Sequence, residues 1–140
     1  MHSLFVVYIL IIPKPQVGFA NNWRTNILIP YILEREKYKC WVSECYRKTI
    51  DCHESLITRG DVQGWKPRAR RILIFHPANC VGLCKQHHNT ELEPTKQEIF
   101  DWMIEYYGED FVYEWLREIS LEFKVVPPFV RKVLFSPGKD

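Results

Sequence analysis

The fold class predicted by this sequence is α+β. Two observations carry that expectation: apolar residues recur at helical spacing in two stretches with clear start signals, near residues 96–107 and 109–119, and two short strand-like runs, 48–53 and 80–83, lie upstream of them. A third observation is where the chemistry sits. All five cysteines and four of the five histidines fall within residues 40–89, so a chain of 140 residues, ordinary in size for one domain, concentrates its reactive side chains around the two strands. With 46% apolar residues it can bury a core of normal extent.

Cys40 and Cys45 form one close pair, and Cys84 and His87 a second. Two ligands from each of two separate segments is the usual construction of a closed tetrahedral zinc site, and that spacing predicts a structural Zn2+ held by Cys40, Cys45, Cys84 and His87. Cys80 in place of His87 is the rival fourth ligand; the two-residue gap between Cys84 and His87 favours the histidine, with Cys80 then a small apolar strand residue. An odd number of cysteines in tight pairs suits a metal better than a disulfide framework.

What the clamp leaves over is His53, Asn79 and His88. In chain order they spell His, Asn, His. The runs His53-Glu54 through Arg59-Gly60 and Pro77-Ala-Asn79-Cys-Val-Gly-Leu-Cys84-Lys-Gln-His87-His88-Asn89 resemble the HNH endonuclease family, specifically its zinc-containing branch found among phage and mobile elements. The resemblance covers about residues 27–117 and is carried by those motifs. It implies a zinc-stabilised ββα-metal core with flanking helices, and a metal-dependent hydrolase that cuts DNA phosphodiester bonds by attack of an activated water, leaving 5′ phosphate and 3′ hydroxyl ends. It further implies a domain spanning residues 26–120, between an apolar segment and linker at 1–25 and an extension at 121–140.

The chemistry justifies the residue types. Phosphodiester hydrolysis needs a base for the water and a cation for the charge on the phosphoryl oxygens, here Mg2+ or Mn2+. Histidine titrates nearest neutrality, so His53 suits the base. His88, placed on a helix that starts at Lys85, would ligate the catalytic ion, while His87 turns about 100° away towards zinc. Asn79 cannot titrate; its amide can pin a loop and orient the His53 ring. In many family members the residue before the base is a further metal ligand, whereas this chain has Cys52, a poor magnesium ligand. Two registers remain open. Asp51, on the same strand face as His53, supplies the missing ligand, or His53 is the ligand and Glu54 the base.

The net charge of +2 is too small to mark a nucleic-acid binder by itself, so the distribution matters more. Residues 59–71 carry Arg59, Lys66, Arg68, Arg70 and Arg71 against one acid, Asp61, whereas residues 91–114 carry eight acids against Lys96. Trp65 among those cations suggests phosphate contacts with stacking, and DNA as the partner. A basic loop that is merely solvated, with Trp65 covering the core, is the plainer alternative. For the whole chain the runner-up is a catalytically silent zinc module that binds nucleic acid, which would not need both His53 and His88.

Of the remaining elements, the apolar run at 4–12 is too short to span a bilayer and has no Lys or Arg before it, so an intracellular, cytoplasmic location is expected rather than secretion. Residues 13–24 read as a linker, and 26–37 as a short helix tolerating Pro30 in its first turn. His76 has no partner at ligand spacing and reads as structural. Thr95 and Glu98 form a capping box before Ile99, Trp102, Met103 and Tyr106. Gly108 stops that helix, and Glu109 and Asp110 open another with Val112, Trp115, Leu116 and Ile119 inward. Residues 129–135 read as a strand.

Overall fold

The computed structural model describes residues 17–62, 72–122 and 125–136. The apolar run at 4–12 and the cations Lys66, Arg68, Arg70 and Arg71 therefore lie outside the described residues.

The described chain begins with helix, not linker. Helix α1 (Val17–Trp23) passes through a π-helical turn, Arg24–Leu28, into α2 (Ile29–Arg35). Glycine and paired asparagines suggested a linker, but Ala20, Trp23, Leu28 and Ile32 are all buried, and one apolar stripe outweighs weak local propensity. The wide turn, with its i to i+5 pattern, keeps Trp23 and Leu28 on the same side. Pro30 sits in the first turn of α2 and breaks nothing.

Helix α2 ends in a paired reverse turn: Tyr38 N–H donates to Leu33 O (2.8 Å) and Lys37 N–H to Glu34 O (3.2 Å). This double closure normally uses glycine at the first residue past the helix. Here Lys37 (φ 58°) and Tyr38 (φ 64°) adopt the left-handed conformation instead.

Strands β1 (Asp51–Glu54) and β2 (Cys80–Leu83) pair antiparallel, with Asp51 opposite Leu83, Cys52 opposite Gly82, His53 opposite Val81 and Glu54 opposite Cys80. As the alternation predicts, Cys52 and Glu54 face inward, while Asp51 and His53 face the more open side. Gly82 has no room for a side chain, since a Cβ there would meet Thr49 Cγ2 at 2.7 Å. Its N–H donates to Glu36 Oε1 (2.9 Å), and its carbonyl accepts from Trp41 N–H (2.7 Å).

Helix α3 (Lys96–Tyr107) starts at the expected capping box and stops at Gly108, whose φ of 91° suits glycine. Its buried residues are Ile99, Phe100, Met103 and Tyr107; Trp102 is half-buried and stacks on the partly exposed Tyr106. The buried face is thus rotated from the stripe expected through Trp102 and Tyr106. Helix α4 (Glu109–Glu122) buries Val112, Trp115, Leu116 and Ile119 as its spacing predicts. Residues Pro128–Phe135 form helix α5, not a strand. Proline at the first helical position fits, and Phe129, Val130 and Val133 share the buried side.

Arg35, almost wholly buried, joins the layers: it donates to Pro77 O (2.8 Å), Cys80 O and Tyr107 Oη (2.9 Å), and pairs with Glu36. The α2 helix is thereby fixed to both β2 and α3.

Candidate metal centre and catalytic site

Cys40 and Cys45 lie on the loop between α2 and β1, and Cys84 and His87 on the turn that follows β2. The sheet brings these two segments together, and one ligand atom from each of the four residues lies within 4.8 Å of all the others. Cys45 Sγ is 3.9 Å from Cys84 Sγ, and His87 Nδ1 is 3.3 Å from Cys84 Sγ and 3.5 Å from Cys40 Sγ. A tetrahedral zinc ion with bonds of about 2.3 Å to sulfur requires ligand separations of about 3.8 Å. The set therefore fits a metal ion such as zinc in both chemistry and spacing.

The other two thiols are excluded from it. Cys80 is fully buried in β2 with its Sγ directed at Ile74 O (3.9 Å), and burial pushes its pKa well above the ordinary value. Cys52, on the inner face of β1, is pushed up to about 12 by burial. Both behave as small apolar residues. Cys45 is lowered instead, chiefly because the Arg47 backbone N–H points at its sulfur, which favours the thiolate that a metal needs.

The turn after β2 is not the expected helix. Residues 85–93 form successive turns: His87 N–H donates to Cys84 O (3.1 Å), Asn89 is left-handed (φ 56°), and Thr90 Oγ1 donates to Gln86 O (2.6 Å) while accepting from Leu92 N–H (3.1 Å). Local side-chain bonds of this kind compete with a helical ladder. His87 and His88 still diverge, the first towards the thiols and the second towards β1. His88 Nε2 lies 3.5 Å from Asp51 Oδ2.

His53 meets His88 edge-on, their ring centroids 5.3 Å apart. The structure thus brings together His53, His88 and Asp51 at one open end of the sheet. Glu93 joins them, its Oε2 3.2 Å from His53 Nε2. Sequence reasoning missed it, because its spacing to any motif residue depends on the turn geometry. Arg24 was missed as well, having been placed in a linker.

Glu54 is oriented differently from its neighbours. Its carboxylate, mostly buried, accepts from Arg24 Nε (2.9 Å) and Arg59 Nε (3.2 Å), and Arg24 Nη2 also donates to Cys52 O (2.7 Å). A cleft of about 510 Å³ opens here, lined by Arg24, Asp51, His53, Glu54, Arg59 and Asn89.

Asn79 is fully buried and uses its whole amide. Oδ1 accepts from Leu56 N–H (2.8 Å) and Ile57 N–H (2.9 Å), while Nδ2 donates to Ile57 O and Ile74 O, both at 2.8 Å. It pins the loop after β1 as expected. It does not orient the His53 ring as expected, because its whole amide is taken up by Leu56, Ile57 and Ile74. His76, as expected, is structural: it stacks on Trp115 (4.9 Å between centroids), accepts from Ala78 N–H at Nδ1 (3.0 Å), and burial lowers its pKa to about 3. Among the expected DNA-contacting cations, Arg59 is described and lies at the cleft; Lys66, Arg68, Arg70 and Arg71 are outside the described residues. Among the described residues, no helix is long and apolar enough to cross a membrane.

Comparison of the chain with family models, with curated proteins and with solved structures returns no match.

Proposed function

We propose that the chain is a metal-dependent endonuclease of the HNH type that hydrolyses DNA inside the cell, on a ββα-metal-like core stapled by zinc at Cys40, Cys45, Cys84 and His87. The observation that carries this reading is the placement of His53, His88 and Asp51 side by side at the open end of the sheet, beside the four-ligand cluster.

In this reading Glu93 holds His53 at Nε2 and stabilises the imidazolium, leaving Nδ1 to take the proton of the attacking water. Asp51 would supply a carboxylate, the donor type that suits Mg2+ or Mn2+, and His88 a neutral imidazole beside it. When bound, that ion supplies positive charge to the phosphoryl oxygens and the leaving group. The pairing of Glu54 with Arg24 and Arg59 supports His53 over Glu54 as base, and supports Asp51 as the ligand that Cys52 cannot provide. Arg59, half-exposed at the cleft, offers a cation to the DNA backbone.

A catalytically silent zinc module that binds nucleic acid is favoured by one observation, the turns that replace the helix around His88. Incubating the purified chain with supercoiled plasmid and Mg2+ or Mn2+ separates the two. Nicked or linear product that is lost in His53→Ala supports the nuclease, and binding without any product supports the silent module.

A further inference from the structure

The loop that carries Cys40 and Cys45 exposes a second surface that the cleft does not use, although its Arg47 also reaches Cys45 Sγ (3.9 Å). Its two limbs run side by side, because Lys39 bridges to Lys48 in antiparallel fashion and Cys40 N–H donates to Arg47 O (2.9 Å). Lys37, Lys39, Arg47 and Lys48 are all exposed there, and Glu44 is the only acid between residues 37 and 48. Two large aromatic rings of the same stretch are exposed as well, Tyr38 at 58% and Tyr46 at 75%. Lys39 Nζ lies 5.2 Å from the Tyr46 ring centroid.

Three of these lysines sit where folding alone disfavours them. Like charges directly opposite one another in an antiparallel pair repel, yet Lys39 faces Lys48. Position 37 closes a helix in the left-handed conformation that glycine adopts freely, yet it is a lysine. Strain and repulsion retained at one exposed site are accounted for when a polyanion offsets them.

We propose that this surface binds a single-stranded segment of nucleic acid, with backbone phosphates on Lys37, Lys39, Arg47 and Lys48 and unpaired bases stacked on Tyr46 and Tyr38. Exposed rings can stack only on bases whose faces are free, which a duplex conceals and a single strand presents. Lys48 is three residues from Asp51, at most about 10 Å of chain, so a strand held here runs on to the His53–His88 site. The inference rests on the proposed function and deepens it by naming the form of the substrate.

The test uses the full zinc-loaded chain, without magnesium, and fluorescence anisotropy of a labelled 20-nucleotide single strand and of its duplex. The single strand binds more tightly than the duplex. Tyr46→Ala weakens single-strand binding by about tenfold or more, as loss of a stacked base does. Lys39→Gln with Lys48→Gln lowers the slope of log affinity against log salt by about 1.4, at about 0.7 per phosphate contact on a single strand. Lys37→Gly separates binding from structure, because it raises the melting temperature while weakening the complex. Wild-type affinity in Tyr46→Ala and in the double lysine variant overturns the inference even if the protein cuts plasmid. Equal displacement by poly-glutamate also overturns it, since charge without stacking would then suffice. Loss of binding in these variants, in a protein that cuts nothing, upholds the surface and defeats the nuclease reading.

Discussion

The rings of His53 and His88 meet edge to face, 5.3 Å between centroids, and each presents its Nε2 to a different carboxylate, Glu93 at 3.2 Å and Asp51 at 3.5 Å. If the chain is the nuclease proposed above, that asymmetry separates the roles of the two histidines. His53→Ala is expected to reduce plasmid cleavage by at least about a hundredfold at unchanged zinc content, because a general base acts in the transition state. His88→Ala is expected instead to raise the Mn2+ concentration needed for half-maximal cutting, with partial recovery at high metal. If Glu54→Gln is inactive and His53→Ala is the variant that recovers with metal, the roles are reversed. Wild-type rates in all three variants would end the HNH reading.

Cys84 lies within ligand distance of both Cys45 and His87. Cys84→Ser is expected to lose bound metal and the cooperative thermal transition together, since metal binding and folding are one equilibrium in a small clamp. Zinc per chain by elemental analysis and a melting curve check this. An unchanged zinc content would remove Cys84 from the site.

Asn79→Ala strips partners from two buried N–H groups and two buried carbonyls at once. The expected loss is about 3 kcal/mol or more of unfolding free energy, measured by urea titration. A loss under about 1 kcal/mol would mean that the loop after β1 is held by something else.

His76 carries a pH signature of its own. The folded state binds its proton only near pH 3, whereas the unfolded imidazole binds one near 6.5, so unfolding takes up a proton in between. Stability from this group is whole above about pH 6.5 and falls by about 1.4 kcal/mol per pH unit as acid is added, levelling off near pH 3. His76→Asn keeps an acceptor for Ala78 N–H and cannot titrate. Its unfolding free energy should therefore depend less on pH than wild type across that window, and parallel curves would refute the assignment.

Gly82 lies against Thr49 and Glu36. Gly82→Ala is expected to cost about 1–3 kcal/mol by overpacking, and Thr49→Ala in the same chain to recover part of it by removing the nearest atoms. Additive effects of the two changes would show that they do not touch.

The elements legible in the sequence are those fixed by local chemistry. Thr95 and Glu98 marked the start of α3, Gly108 its end, and Val112 to Ile119 the inward face of α4, because capping and helical spacing act over a few residues. The four members of the Cys/His cluster were legible for the same reason, spacing within each pair being short. What was not legible depended on distant partners. The helix through Ala20 and Trp23 exists because the core receives those side chains, against the turn propensity of Asn21 and Asn22. The turns at 85–93 follow from side-chain bonds by Thr90, whose direction no periodicity reveals. Arg24 reaches Glu54 across 30 residues, and such a pairing has no one-dimensional signal.

The cluster at Cys40, Cys45, Cys84 and His87 has a consequence for the order in which the chain acquires structure. Cys45 and Cys84 are 39 residues apart, so a bound ion closes a loop that the free chain would close at an entropic cost of about 3 kcal/mol. An ion there acts on the disordered chain as a cross-link does, removing open conformations. The second pair of ligands follows β2 directly, so capture of the ion and pairing of β1 with β2 become one event. Were an ion held there, its supply while the chain folds would help set how fast the two strands come together.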